Sequence, residues 1–287
     1  MTSGSYIFQL GEFECISLSD GSSDYPPQSF FANVPKAQVE TVLRQHNLPG
    51  DHITTPYTFL YVNTGQQRVL VDMGAGDLSP TTGMLRPNMR AAGLAPADID
   101  TVIITHAHPD HIGGALDGQG QPVYGNARYF IWKGEWEFWF SELALAKTPE
   151  RFVSTARRNL EPIQDRLTLL DQESEIIPGI RIIAAPGHTP GHIVVFVSSN
   201  NEQLLYSSDT VLYPLHLEYP DWTPIFDIIP EQAAISKRRI FDWAAREGMW
   251  VMGQHFPPFP SLGRVVKNGT RWQWQPIKAM ENERSLK

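Results

Sequence analysis

The 287-residue chain has one cysteine, Cys15. A single thiol permits neither an intramolecular disulfide nor a thiolate metal cage. Free cysteine is usually a small, inert core residue, and Cys15 is read that way. No apolar run approaches the ~18 residues of a membrane span, and no basic segment followed by an apolar one marks the N-terminus as a signal peptide. A cytoplasmic protein with no membrane partner is the expectation. Positive charge is scarce: 23 Lys and Arg stand against 31 Asp and Glu, a net charge of −8, with no basic cluster. That balance argues against a nucleic-acid partner, which needs a basic face. No Gly-x-Ser-x-Gly elbow is present, so no nucleophilic serine of that kind is on offer. No linker, low-complexity tract or fixed-period repeat divides the chain, and residues 1–287 read as one domain.

What is present is an ordinary globular composition, 41% apolar, with strands arriving in runs. Residues 6–18 alternate as one or two strands. Residues 19–35, rich in proline, read as a long loop whose aromatics Tyr25, Phe30 and Phe31 are either buried anchors or substrate-facing, and Pro35 opens a helix through His46. Strands are expected at Tyr57 to Val62, Arg68 to Asp72, Ile99 to Thr105 and Ala127 to Trp132. Helices are expected at Met84 to Ala92, from Glu135 onward and at Arg151 to Gln164. Further strands follow near Ile180 to Ala184, His192 to Ser198, Gln203 to Ser208 and Met249 to Met252. Ile229 to Glu247 is the clearest helix, with Ala233, Ile240, Phe241 and Ala244 on one face. Asn268-Gly269 signals a closing hairpin. The pattern suggests α+β layers around a pair of sheets.

The chemistry is concentrated in Thr105-His106-Ala107-His108-Pro109-Asp110-His111-Ile112-Gly113-Gly114, directly after the apolar strand Val102-Ile103-Ile104. In extended geometry His106 and His108 point to one face. Asp110 and His111 lie past the strand, where the backbone turns. One cluster can therefore serve two adjacent cations, His106 and His108 the first, Asp110 and His111 the second. Each cation needs further ligands from distant loops. His188 would complete the first site, His255 the second, and Asp209 has two oxygens with which to bridge both. Imidazole and carboxylate donors suit two divalent ions, zinc first, with manganese, iron or cobalt also compatible. A mononuclear site is the competing reading of the same residues.

The His-x-His-x-Asp-His motif, followed by His188, Asp209 and His255 in order, resembles the metallo-β-lactamase superfamily. The segments Pro186-Gly187-His188-Thr189-Pro190-Gly191-His192 and Gln254-His255-Phe256-Pro257-Pro258-Phe259-Pro260 are similar to the methyl parathion hydrolase branch, which also holds enzymes that open N-acyl-homoserine lactones. So is the ending Gly269-Thr270-Arg271-Trp272-Gln273-Trp274-Gln275-Pro276. The resemblance implies a four-layer αβ/βα sandwich, a homodimer, and metal ligands at His106, His108, Asp110, His111, His188, Asp209 and His255. It implies a metal-dependent hydrolase, in which a hydroxide shared by two ions attacks a lactone or a phosphotriester and Asp110 passes a proton to the leaving group. It also places Asp72 behind a ligand histidine, where it would orient the ring.

Two positions depart from the branch. The place three residues after Asp209, a tyrosine or histidine in relatives, is Leu212, with Tyr213 and His216 nearby. Pro257-Pro258 carries an extra proline. The substrate pocket is expected to be apolar, suited to a small hydrophobic lactone or ester, with Phe30, Phe31, Trp136, Trp139, Tyr213, His216, Trp222 and Phe226 as candidate walls. Alternatives on the same scaffold are a thioester hydrolase of glyoxalase II type, an iron-dependent oxidoreductase, and a regulator with a vestigial site.

Overall fold

The computed structural model describes residues 4–277. Two seven-stranded mixed sheets face each other. The first follows chain order: β1 (Ser5–Leu10), β2 (Phe13–Tyr25), β3 (Ile53–Asn63), β4 (Arg68–Val71), β5 (Thr101–Ile104), β6 (Arg128–Trp132) and β7 (Leu167–Leu170). Its first four strands pair antiparallel and β4 to β7 pair parallel. The second sheet holds β8 (Ser174–Ile177), β9 (Ile180–Ala184), β10 (Ile193–Ser199), β11 (Glu202–Tyr206), β12 (Trp250–Met252), β13 (Leu262–Asn268) and β14 (Arg271–Pro276).

Alternation along the strands sorts side chains between layers. Leu60, Val62, Val69, Val71 and Ile103 meet Ile182, Ile193, Val195, Leu204 and Met252 between the sheets. Cys15 is buried in that same layer. The opposite face of the first sheet, with Phe59, Val102 and Ile104, packs on helices that contribute Met89, Trp139, Val153 and Leu160. The outer face of the second sheet meets Ile240, Phe241 and Ala244 of the helix Pro230–Glu247. The order is helix, sheet, sheet, helix, the expected αβ/βα sandwich. That last helix starts on Pro230 and ends at Gly248 in the left-handed conformation, a stop that favours glycine. Burying a side chain such as Phe241 stabilises the packing by about 2–3 kcal/mol.

Some boundaries differ from the sequence reading. Residues 19–35 are not one loop: β2 runs on to Tyr25, paired with β3 as far as Ile53, and a single helical turn, Pro27–Phe30, follows. A bulge between Ser19 and Gly21 absorbs the irregular stretch and lets pairing continue. The helix expected over Arg151 to Gln164 is Glu150–Leu160, and a tighter 3-10 turn takes over at Glu161–Arg166, where Pro162 supplies no backbone N–H.

Candidate metal centre

The seven predicted ligands lie where strand ends of the two sheets converge. His106 and His108 follow β5, and His108 precedes the short helix Pro109–Ile112 that carries Asp110 and His111. His188 sits in the loop between β9 and β10, Asp209 just past β11 and His255 just past β12. Glycine makes the His188 loop possible. A Cβ on Gly187 would lie 2.0 Å from the Ala233 nitrogen, and one on Gly191 would lie 2.1 Å from the Glu135 nitrogen.

Two donor groups result. One holds His106, His108, His188 and Asp209; the other holds Asp110, His111, His255 and Asp209, with the donor atoms of each group within 4.8 Å of one another. Asp209 belongs to both. Its Oδ2 lies 3.3 Å from His188 Nε2 and 3.4 Å from His111 Nε2, and its Oδ1 lies 3.5 Å from His255 Nε2.

The outward nitrogen of most rings is held, which fixes the nitrogen that faces inward. Asp72 Oδ2 takes the His111 Nδ1 contact at 2.7 Å, Asp227 Oδ1 that of His188 at 2.9 Å, and the Pro56 carbonyl that of His255 at 3.1 Å. Asp72 is further fixed by the Thr105 backbone N–H and hydroxyl, both at 2.7 Å.

The donor set fits a pair of divalent cations. His108 Nδ1 lies 3.1 Å from His106 Nε2 and 2.9 Å from His188 Nε2. Three inward nitrogens with no carbonyl among them are poorly satisfied by protons alone. His111 Nε2 and Asp209 Oδ1 are buried without a hydrogen-bond partner among the described residues, and a ligand set explains such orphans. Charge points the same way. Burial, reinforced by neighbouring histidines, holds His106 and His108 well below the usual imidazole range, so they are neutral donors. Burial acts alike on His111, His188 and His255, but the surrounding carboxylates win. They push His111 well above its ordinary value and His188 and His255 up to about 9. Despite burial, His111 and His255 hold Asp209 well below the carboxylate range. The cluster's negative charge calls for cations, which protons or metal ions can supply.

The metallo-beta-lactamase superfamily profile matches residues 54–255. The chain belongs to that superfamily. The N-acyl homoserine lactonase of Bacillus cereus is 22% identical over 221 residues, covering 69% of this chain and 80% of the relative. Among solved structures, AidC, a dizinc quorum-quenching lactonase in complex with the product N-hexanoyl-L-homoserine, superposes with a TM-score of 0.91 at 30% identity, over 97% of this chain and 99% of that one. A hydrolase of the beta lactamase superfamily, AbOPH, superposes with a TM-score of 0.90 at 26% identity, over 98% and 100%.

A cavity of about 610 Å³ opens onto the donor groups, with His108, Asp110, His188, Asp209 and His255 in its lining. Of the candidate wall residues, Phe30 and Phe226 line it. The other six do not. Phe31 and Trp222 pack edge to face, 5.1 Å apart, in a small core under the wall. Tyr213 packs against Phe30 in that core, and His216 Nε2 lies 2.8 Å from the Phe30 carbonyl. Trp136 stacks on Phe140. Trp139 lies behind His108, its ring 5.5 Å away, and donates to Glu135. Large aromatics are drawn into cores as readily as into pockets, and spacing does not separate the two.

The sequence reading missed Tyr57, Phe152 and Arg151, all in the lining, and considered Leu212, also there, only as a departure; Tyr25, one of the aromatics of residues 19–35, lines the cavity too. It also missed Glu135 and Asp227. Glu135 is fully buried and accepts from Ala107 N, Gly191 N, Trp139 Nε1 and Thr189 Oγ1, tying both histidine loops together. An acid four residues before a tryptophan on an apolar helix face was the available signal. Nothing in the sequence pointed to Asp227.

Proposed function

We propose that this protein is a dinuclear metal-dependent lactonase that opens N-acyl-homoserine lactones or related rings, with phosphotriester and aryl ester hydrolysis as side activities. The double donor group around Asp209, beside a cavity that combines apolar walls such as Phe30, Phe226 and Leu212 with polar ones, carries this reading. The similarity to a dizinc lactonase across nearly the whole chain supports the substrate class and zinc as the metal.

His106, His108 and His188 would hold one ion, Asp110, His111 and His255 the other, and Asp209 both. Bound there, two divalent ions supply an acidified water and polarise the target carbonyl oxygen. The chain's own residues do the rest. Asp72 and Asp227 orient ligand rings. Asp110 lines the cavity, is not fully buried, and has Oδ2 3.3 Å from His255 Nε2. It carries the proton from the attacking water to the ring oxygen as the carbon–oxygen bond breaks, giving the N-acyl-homoserine. Phe30, Phe226, Phe152 and Leu212 exclude water around an apolar acyl group.

No helix of the described residues is long and apolar enough to cross a membrane. The proposal includes a homodimer in the cytoplasm, with residues 1–287 as one domain.

The test is a panel of acyl-homoserine lactones, simple γ- and δ-lactones and a paraoxon-type ester, with metal content measured on the same protein. Ring opening with about two ions per chain is expected. Metal-loaded protein that opens no lactone refutes the reading. His106→Ala and Asp209→Ala are expected to lower kcat/KM at least tenfold, about 1.4 kcal/mol in barrier.

A further inference from the structure

Leu212 leaves the cavity wall beside Asp209 without a hydrogen-bond donor, and neither Tyr213 nor His216 replaces it. Both are buried in the core around Phe30. Hydroxyls enter the cavity from the first sheet instead. The β2–β3 ladder sets Gly21 opposite Tyr57, Ser23 opposite Thr55 and Tyr25 opposite Ile53. Side chains at alternate positions share a face, so Ser23, Tyr25 and Tyr57 come to one side, and all three line the cavity.

Two of them are linked: the Tyr57 and Tyr25 hydroxyls are hydrogen-bonded to each other. Tyr57 is fully buried, its ring meeting His255 edge-on at 5.0 Å. Tyr25 is the only hydrogen-bond acceptor found for the buried Tyr57 O–H among the described residues, so that O–H is assigned to Tyr25. Tyr25 then accepts one bond and keeps its own O–H for the cavity that it lines. Its ring is set edge-on by Phe30 at 5.4 Å and Phe226 at 6.1 Å. Burial, with Asp110 nearby, pushes the Tyr25 hydroxyl up to about 12, so it remains a donor throughout the neutral range. A donor whose own oxygen accepts a bond is polarised by it.

We infer that the Tyr25 hydroxyl, backed by Tyr57, is the protein's hydrogen-bond donor to the substrate carbonyl oxygen as that oxygen gains charge. The inference rests on the acyl-transfer reading above. It assigns the task to β2 rather than to the segment after Asp209. A donor placed where charge develops contributes mainly to kcat.

The experiment compares wild type, Tyr25→Phe and Tyr57→Phe, all metal-loaded, on N-hexanoyl-homoserine lactone, with metal content and Tm recorded for each. Tyr25→Phe is expected to lose about 10²-fold in kcat with KM within about threefold, at unchanged metal content. Tyr57→Phe keeps the Tyr25 hydroxyl but not its donor, and is expected to lose about tenfold. A Tyr25→Phe enzyme within threefold of wild-type kcat, or one altered in KM alone, overturns the inference. If Tyr25→Phe folds poorly or loses metal, Tyr57→Phe decides, and an unchanged kcat there overturns it. If wild type opens no lactone, the lactonase reading falls. The same comparison on p-nitrophenyl acetate, whose carbonyl oxygen gains the same charge, then still decides the role of Tyr25. Inactivity of wild type on both substrates overturns both.

Discussion

Glu135 shows how much one buried side chain can hold. Its two oxygens take four donors: Ala107 N from the loop after β5, Gly191 N and Thr189 Oγ1 from the His188 loop, and Trp139 Nε1. Glu135→Gln turns one oxygen into an N–H2 facing those donors. A loss of about 2–4 kcal/mol in urea unfolding is expected, with lower metal content per folded chain. His216 makes a second test. Burial, with Lys237 nearby, drives its ring down to about 3, so the folded protein holds it neutral. The unfolded ring titrates near 6.5, so stability is full above that value and falls as pH drops from 6.5 toward 3. Each pH unit in that window costs about 1.4 kcal/mol at most. The unfolding midpoint of His216→Gln should therefore change less between pH 7 and 5 than that of wild type. An equal change would show that His216 does not titrate this way. At this scale the sequence was legible where chemistry and spacing coincide. His106, His108, Asp110 and His111 are neighbours in the chain and in space. The cavity wall was not legible, because Trp139 and Phe30 look alike in sequence while one is core and the other lining.

The loop between β9 and β10 owes its path to close approaches rather than to side-chain bonds. Gly191→Ala would force the chain away from the helix Lys133–Trp139 and carry His188 with it. A destabilisation of about 1–3 kcal/mol is expected, with metal lost first from the group containing His188. Calorimetric metal titration would reveal this as a weakened step, and two unchanged steps would refute it. The helix Pro230–Glu247, with one strong period, was read within a residue, and the turn between β13 and β14 falls at the expected Asn268-Gly269, although β13 starts earlier, at Leu262. The length of β2 was hidden by its bulge and by the prolines after it. Pairing with β3, a long-range contact, decides that stretch over local preference. The edge strands β7 and β8 also escaped notice, being four residues each and half exposed.

Across the whole molecule, the donor groups draw on both sheets. His106, His108, Asp110 and His111 follow a strand of the first, and His188, Asp209 and His255 follow strands of the second. Cations that bind only the folded state raise its stability by mass action. Removing them with a chelator is expected to lower Tm by about 5 °C or more, and adding zinc back should restore it. A Tm that ignores both treatments would argue against occupancy of either group. The two sheets also touch directly at this edge, where the Ile193 N–H donates to the Thr105 carbonyl at 3.1 Å. The seam between the halves is thus stitched beside the donor groups. Parting the sheets at that edge would draw His106, His108, Asp110 and His111 away from His188, Asp209 and His255, so cations shared between the two sets would act as a clasp on the sandwich.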